Sequence, residues 1–170
     1  DDDDLRRGRP TSHKVYGEGM AVLIGDALLT EAFTVLAHTP PTKRYPLKDI
    51  LLEFSECGGS KKLIGGQVLD LEGEGRDLTK AQLVRIHENK TAALLTTSLR
   101  LGGMTANATP RQLEALTDFG YNLGLAFQVI DDILDVTQTT EMLGKTAGKD
   151  EAVDKSTYPA ILGLEKSRQE

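Results

Sequence analysis

The sequence predicts an all-α fold in a single domain spanning residues 1–170, and three observations predict it. Hydrophobic residues make up 39% of the chain, yet Trp is absent and aromatics reach only 5%, so the core must be aliphatic, which favours helices over a β-sandwich. Apolar side chains run in long stretches punctuated by Gly and Pro. The third observation is the stretch 119–137, FGYNLGLAFQVIDDILDVT, apolar nearly all round and therefore expected inside a bundle, which nonetheless carries Asp131, Asp132 and Asp135.

Taken in order, residues 1–14 pack four acids and then basic residues around Gly8 and Pro10, which break any helix there. This charge run reads either as a solvated turn or as a cluster in which acids hold a metal and Arg6 and Arg7 hold the phosphates it bridges. Residues 15–37 read as one buried helix, with Gly17, Gly19 and Gly25 permitting close approach of neighbours and Asp26 as a satisfied core polar group. The prolines of 38–46 mark a loop. Residues 47–75 are helical with an interruption at Gly58-Gly59, and Gly65-Gly66-Gln67 reads as a place where backbones meet closely, with Asp70 one turn on. Thr79 and Gln82 form a capping box for the next helix, which ends at Gly102-Gly103 and holds Lys90-Thr91 in an otherwise apolar progression. Thr109-Pro110 caps the aspartate helix. Beyond it, the Gly-, Thr- and Lys-rich run with Lys145, Lys149 and Lys155 reads either as a flap that closes over an anion or as an ordinary polar loop.

Asp131 and Asp135 stand one turn apart, with Asp132 beside them and Gln128 one turn before Asp131. Carboxylates sunk in an apolar helix cost several kcal/mol each unless a cation compensates them, and hard oxygen donors suit Mg²⁺. A net charge of −6 and a pI near 5.1 argue against nucleic acid. The single Cys57 excludes an internal disulfide framework. The apolar runs read as too short to cross a bilayer, so a soluble, cytoplasmic protein is expected, not a membrane-spanning one. The absence of an initial Met and the ending EKSRQE lead us to expect a segment of a longer chain.

The segments DDDDLRRGRPT, GDALL, GGQVLDL, NKTAALL, GLAFQVIDDILD, LGK and DKSTYPA resemble the trans-polyprenyl diphosphate synthases, the farnesyl and geranylgeranyl diphosphate synthase group, over nearly all of the chain. The resemblance implies an isoprenoid-synthase-type helical bundle around a central cavity, truncated at both ends. Two aspartate-rich motifs would hold Mg²⁺ there against an allylic diphosphate. It implies metal roles for Asp1, at the tail of the first motif, and for Asp131, Asp132 and Asp135 of the second. Arg6 resembles a ligand of the allylic diphosphate and Arg7 one of isopentenyl diphosphate, while Lys90, Thr91, Gln128 and Lys145 resemble the allylic-site residues and Lys155 a further lysine of the flap. The implied reaction is Mg²⁺-dependent 1′-4 head-to-tail condensation of an allylic diphosphate with isopentenyl diphosphate. Positive charge would hold the departing pyrophosphate, and apolar side chains around Phe127 would shelter the carbocation. Homodimers are common in the group, so a homodimer is expected. A terpene cyclase on a related bundle and a non-catalytic partner subunit of a synthase are the alternative readings.

Overall fold

The computed structural model describes residues 3–139 and 156–170, whose regular elements are all helical apart from one small hairpin. The hairpin pairs β1 (Leu5–Arg6) with β2 (Arg9–Pro10) in antiparallel register. Arg7 and Gly8, with φ of 53° and 71°, supply the two positive φ angles that its two-residue turn requires.

What was expected as one helix from residue 15 to 37 is two, α1 (Ser12–Tyr16) and α2 (Glu18–Ala37), parted at Gly17 with φ of 84°. A second correction concerns burial: no residue of α2 is buried, and Met20, Leu23, Leu28 and Val35 are among its exposed apolar side chains. Helical spacing records how many apolar residues a segment has; it does not record what covers them. Asp26 is likewise exposed, and a Cβ on Gly17, Gly19 or Gly25 would meet nothing within 4 Å, so these glycines serve no close contact. The helix is also long and apolar enough to cross a membrane by length and composition, which corrects the expectation that the apolar runs are too short. Asp26 near its middle weighs against such a placement, by about 3 kcal/mol at a bilayer centre.

The remaining elements are α3 (Leu47–Gly58), α4 (Leu63–Gly73), α5 (Lys80–His87), a π-helical turn (Glu88–Ala92), α6 (Ala93–Thr105), α7 (Pro110–Thr137), α8 (Tyr158–Leu162) and α9 (Leu164–Ser167). The break at Gly58-Gly59 and both Thr caps are as the sequence predicts. Thr79 with Gln82 and Thr109 with Gln112 form complete capping boxes. The helix expected to stop at Gly102-Gly103 continues to Thr105, where Asn107, with φ of 58°, ends it in the left-handed region. The proline-rich loop is latched to that corner: Arg44 donates to the Asn107 side chain and carbonyl, and the Tyr45 hydroxyl donates to the Ala108 carbonyl at 2.9 Å.

The long helix α7 organises the rest and packs most closely on α6. Near its start Leu113 joins Ile50 and Met104, and near its end Val129 joins Leu83 and Tyr158, with Ile133 and Ile161 packed alongside. Only one side of α7 is buried. Phe119, Leu123, Phe127, Ile130 and Val136 are exposed, against the expectation of a helix enclosed all round.

Candidate diphosphate site

The geometry of the site begins with the π-helical turn. Its wider ring interrupts the helix at Lys90 and Thr91, and such turns occur often where side chains must be re-aimed. Gly66 of α4 lies against its backbone so closely that a Cβ there would overlap the Lys90 nitrogen and the Asn89 carbonyl carbon. The close approach read from the Gly-Gly pair is therefore real at Gly66, and it brings Asp70, one turn further along α4, to the turn.

Lys90 and Thr91 reach in different directions. The Lys90 ammonium donates to Asp70 Oδ2 at 2.6 Å, an ion pair in which the carboxylate is buried and the lysine mostly so. Asp70 was noted in the sequence only for its spacing from Gly66, and its pairing with Lys90 was missed. The signal was an acid and a base, each set alone in an apolar run. The Thr91 hydroxyl donates to Gln128 Oε1 on α7 at 3.0 Å. Gln128 Nε2 in turn donates to Asp132 Oδ1 at 3.2 Å, and the backbone N–H of Tyr158 donates to Asp132 Oδ2 at 3.0 Å.

The three aspartates are not equivalent. Asp131 is half-buried, whereas Asp132 and Asp135 are only 3% and 4% exposed. The sequence set Gln128 beside Asp131; the hydrogen bond goes instead to Asp132, four residues on, because residues four apart lie one above the other on a helix. No group of three or more His, Cys, Asp or Glu side chains converges as a metal cluster among the described residues. The donor set still fits Mg²⁺ in a restricted sense. That ion takes one or two carboxylates and fills its other positions with water and phosphate, and the half-buried Asp131 offers hard oxygens, with Asp135 one turn on but only 4% exposed.

Arg6 and Arg7 are exposed on the hairpin, and no described hydrogen bond or ion pair joins them to Asp131, Asp132 or Asp135. The expected meeting of the arginine pair with the aspartates is thus not seen among the described residues. Asp1, Lys145, Lys149 and Lys155 lie outside the described residues.

A separate cavity of about 590 Å³ opens between α3, α6 and α7, lined in part by Glu53, Cys57, Thr97, Arg100 and Thr117. Arg100 holds both Glu53 oxygens, at 2.6 and 2.9 Å, and donates to Thr117 at 2.7 Å. Burial pushes the Cys57 thiol above its ordinary value, and Thr97 offsets part of that rise. Near the aspartates, burial together with the Glu170 and Asp132 carboxylates raises Tyr158.

Known proteins with the same pattern decide the family. Residues 1–170 match the family described as Polyprenyl synthetase. The chain belongs to the polyprenyl synthetase family. It is 49% identical over 171 residues to the chloroplastic geranylgeranyl pyrophosphate synthase of Catharanthus roseus, covering 99% of this chain and 48% of that protein. It is 44% identical over 169 residues to the farnesyl diphosphate synthase of Geobacillus stearothermophilus, covering 96% of this chain and 56% of that one. The crystal structure of a Helicobacter pylori geranyltransferase complexed with magnesium and isoprenyl diphosphate superposes with a TM-score of 0.89 at 39% identity, over 99% of this chain and 55% of that chain. This polyprenyl synthetase chain thus spans about half the length of the relatives it matches. Its all-α architecture is that of the family.

Proposed function

We propose that the chain forms the diphosphate-holding part of a prenyltransferase that condenses an allylic diphosphate with isopentenyl diphosphate, 1′-4 and head to tail, with Mg²⁺. The observation that carries this reading is the bonded set Thr91, Gln128 and Asp132, which joins the π-helical turn to the aspartate helix, with Lys90 next to Thr91 in the chain and the half-buried Asp131 next to Asp132. Cleaving an allylic C–O bond sends the electron pair to the departing pyrophosphate and leaves a carbocation. The isopentenyl double bond attacks that cation, and a proton is lost to the pyrophosphate. No nucleophilic side chain is needed, so the protein's task is to stabilise negative charge on one side and exclude water on the other.

Lys90 supplies a fixed positive charge, aimed by Asp70. Thr91 gives its one hydroxyl hydrogen to Gln128 Oε1 and so orients that amide, whose second N–H hydrogen can serve an anion with little freedom lost on binding. Asp131 and Asp135 would hold Mg²⁺, which when bound acts as a Lewis acid on the phosphate oxygens. Phe127 and Ile130, exposed beside the aspartates in sequence, are the apolar groups of α7 assigned to shelter the cation. Asp1, Arg6, Arg7, Lys145 and Lys155 keep the roles that the resemblance implies.

The named relatives are a geranylgeranyl pyrophosphate synthase and a farnesyl diphosphate synthase, and the Helicobacter pylori structure contains magnesium and isoprenyl diphosphate. A homodimer and a cytoplasmic setting belong to the same proposal, although one relative is named as chloroplastic. The test is direct. Full-length enzyme supplied with Mg²⁺, isopentenyl diphosphate and an allylic diphosphate should release pyrophosphate and yield a prenyl diphosphate five carbons longer. If pyrophosphate does not appear with dimethylallyl, geranyl or farnesyl diphosphate, the proposal fails.

A further inference from the structure

The second aspartate of the triplet does something different from the first. Asp132 is 3% exposed, and each of its oxygens accepts a hydrogen bond from the protein: Oδ1 from Gln128 Nε2 at 3.2 Å and Oδ2 from the Tyr158 backbone N–H at 3.0 Å. A buried carboxylate is tolerated when such donors replace its lost water. Mg²⁺ demands near-octahedral geometry and usually keeps several waters, and a carboxylate sealed in this way offers neither. Asp131, next in the chain but half-buried, stands at the boundary with solvent.

We propose that Asp132 is a positioning residue and not a metal ligand: it fixes the amide of Gln128 and fastens the start of α8 to the aspartate helix. Both consequences follow from donor and acceptor identity. Because Nε2 of Gln128 is held by a carboxylate, Oε1 must face Thr91, whose hydroxyl donates to it. The chain of bonds from Thr91 through Gln128 and Asp132 to Tyr158 therefore has a set direction and crosses three elements. Its last link is supported by packing, since Tyr158 sits in the cluster with Leu83 and Val129, and its ring meets His87 edge-on with centroids 5.5 Å apart. The segment bearing Tyr158 begins 26 residues after Asp132, so the clamp ties distant parts of the chain together. The assignment of Asp131 and Asp135 to Mg²⁺ rests on the prenyl-transfer reading; the clamp does not.

The test separates the two. Amide hydrogen exchange at Tyr158, measured in the full-length enzyme without metal or substrate, should accelerate about tenfold or more in Asp132→Asn and stay unchanged in Asp131→Asn, because only in the former does the charged acceptor of the Tyr158 N–H give way to a neutral amide, whose oxygen accepts more weakly and whose NH2 does not accept at all. Mn²⁺ binding in the presence of inorganic pyrophosphate, followed by electron paramagnetic resonance, should weaken in Asp131→Asn and stay within about twofold of wild type in Asp132→Asn. Should Asp132→Asn not fold, Asp132→Glu keeps the charge and displaces the oxygens, and the same pair of readings is expected. Unchanged Tyr158 protection in the Asp132 variant, or loss of Mn²⁺ from it as large as from Asp131→Asn, overturns the proposal. Lost protection with Mn²⁺ affinity unaltered in both variants sustains the clamp and counts against the prenyl-transfer reading.

Discussion

At the scale of single residues, the pairing of Lys90 with Asp70 has the sharpest consequence. Two charges placed mostly out of water support each other, and removing one leaves the other less well compensated. Asp70→Asn keeps the shape and removes the charge, so chemical denaturation should report a loss of about 3 kcal/mol, discounted toward 1 because the lysine keeps some solvent. Stability equal to wild type would mean that the pair contributes nothing. The chain marks both residues as lone charges in apolar runs but does not say that they meet. Asp70 and Lys90 stand twenty positions apart, and what joins them is the near-touching of backbones at Gly66.

Whole elements show where local chemistry suffices and where it does not. The two Thr caps were legible because their signals are local, Gln82 three residues after Thr79 and Pro110 directly after Thr109. The π-helical turn was not, since an extra residue in one helical ring leaves no mark on apolar spacing. Nor was the clamp at Asp132, which depends on a backbone group far along the chain. The packing of α4 on the π turn yields a paired prediction. Gly66→Ala should destabilise by about 1–3 kcal/mol, because its Cβ would overlap backbone that cannot rotate away. Gly25→Ala, on the open side of α2, should be neutral or stabilising by about 0.5–1 kcal/mol, because no neighbour is met and Ala favours the helix. Thermal unfolding of the two variants checks both signs, and equal behaviour would contradict the account.

Across the molecule, the sequence placed the helices well and their surroundings poorly. An all-α fold follows from an aliphatic composition and long apolar runs, but α2 and one side of α7 are exposed where burial was expected, since periodicity does not say what lies opposite. For the site, Lys90, Thr91, Gln128 and Asp131 were legible as residue types, and Thr91 and Gln128 do come together, whereas Lys90 pairs with Asp70 and no described bond joins the arginine pair to the aspartates. The central claim is that Lys90 and Asp131 serve one bound anion, the first directly and the second through Mg²⁺. It is tested by calorimetric titration of the full-length enzyme with inorganic pyrophosphate, with and without Mg²⁺. Binding should require Mg²⁺, and Lys90→Met and Asp131→Asn should each weaken it about 10- to 100-fold, the loss expected for one charged hydrogen bond or metal contact. Wild-type affinity in both variants, or affinity indifferent to Mg²⁺, would contradict the claim.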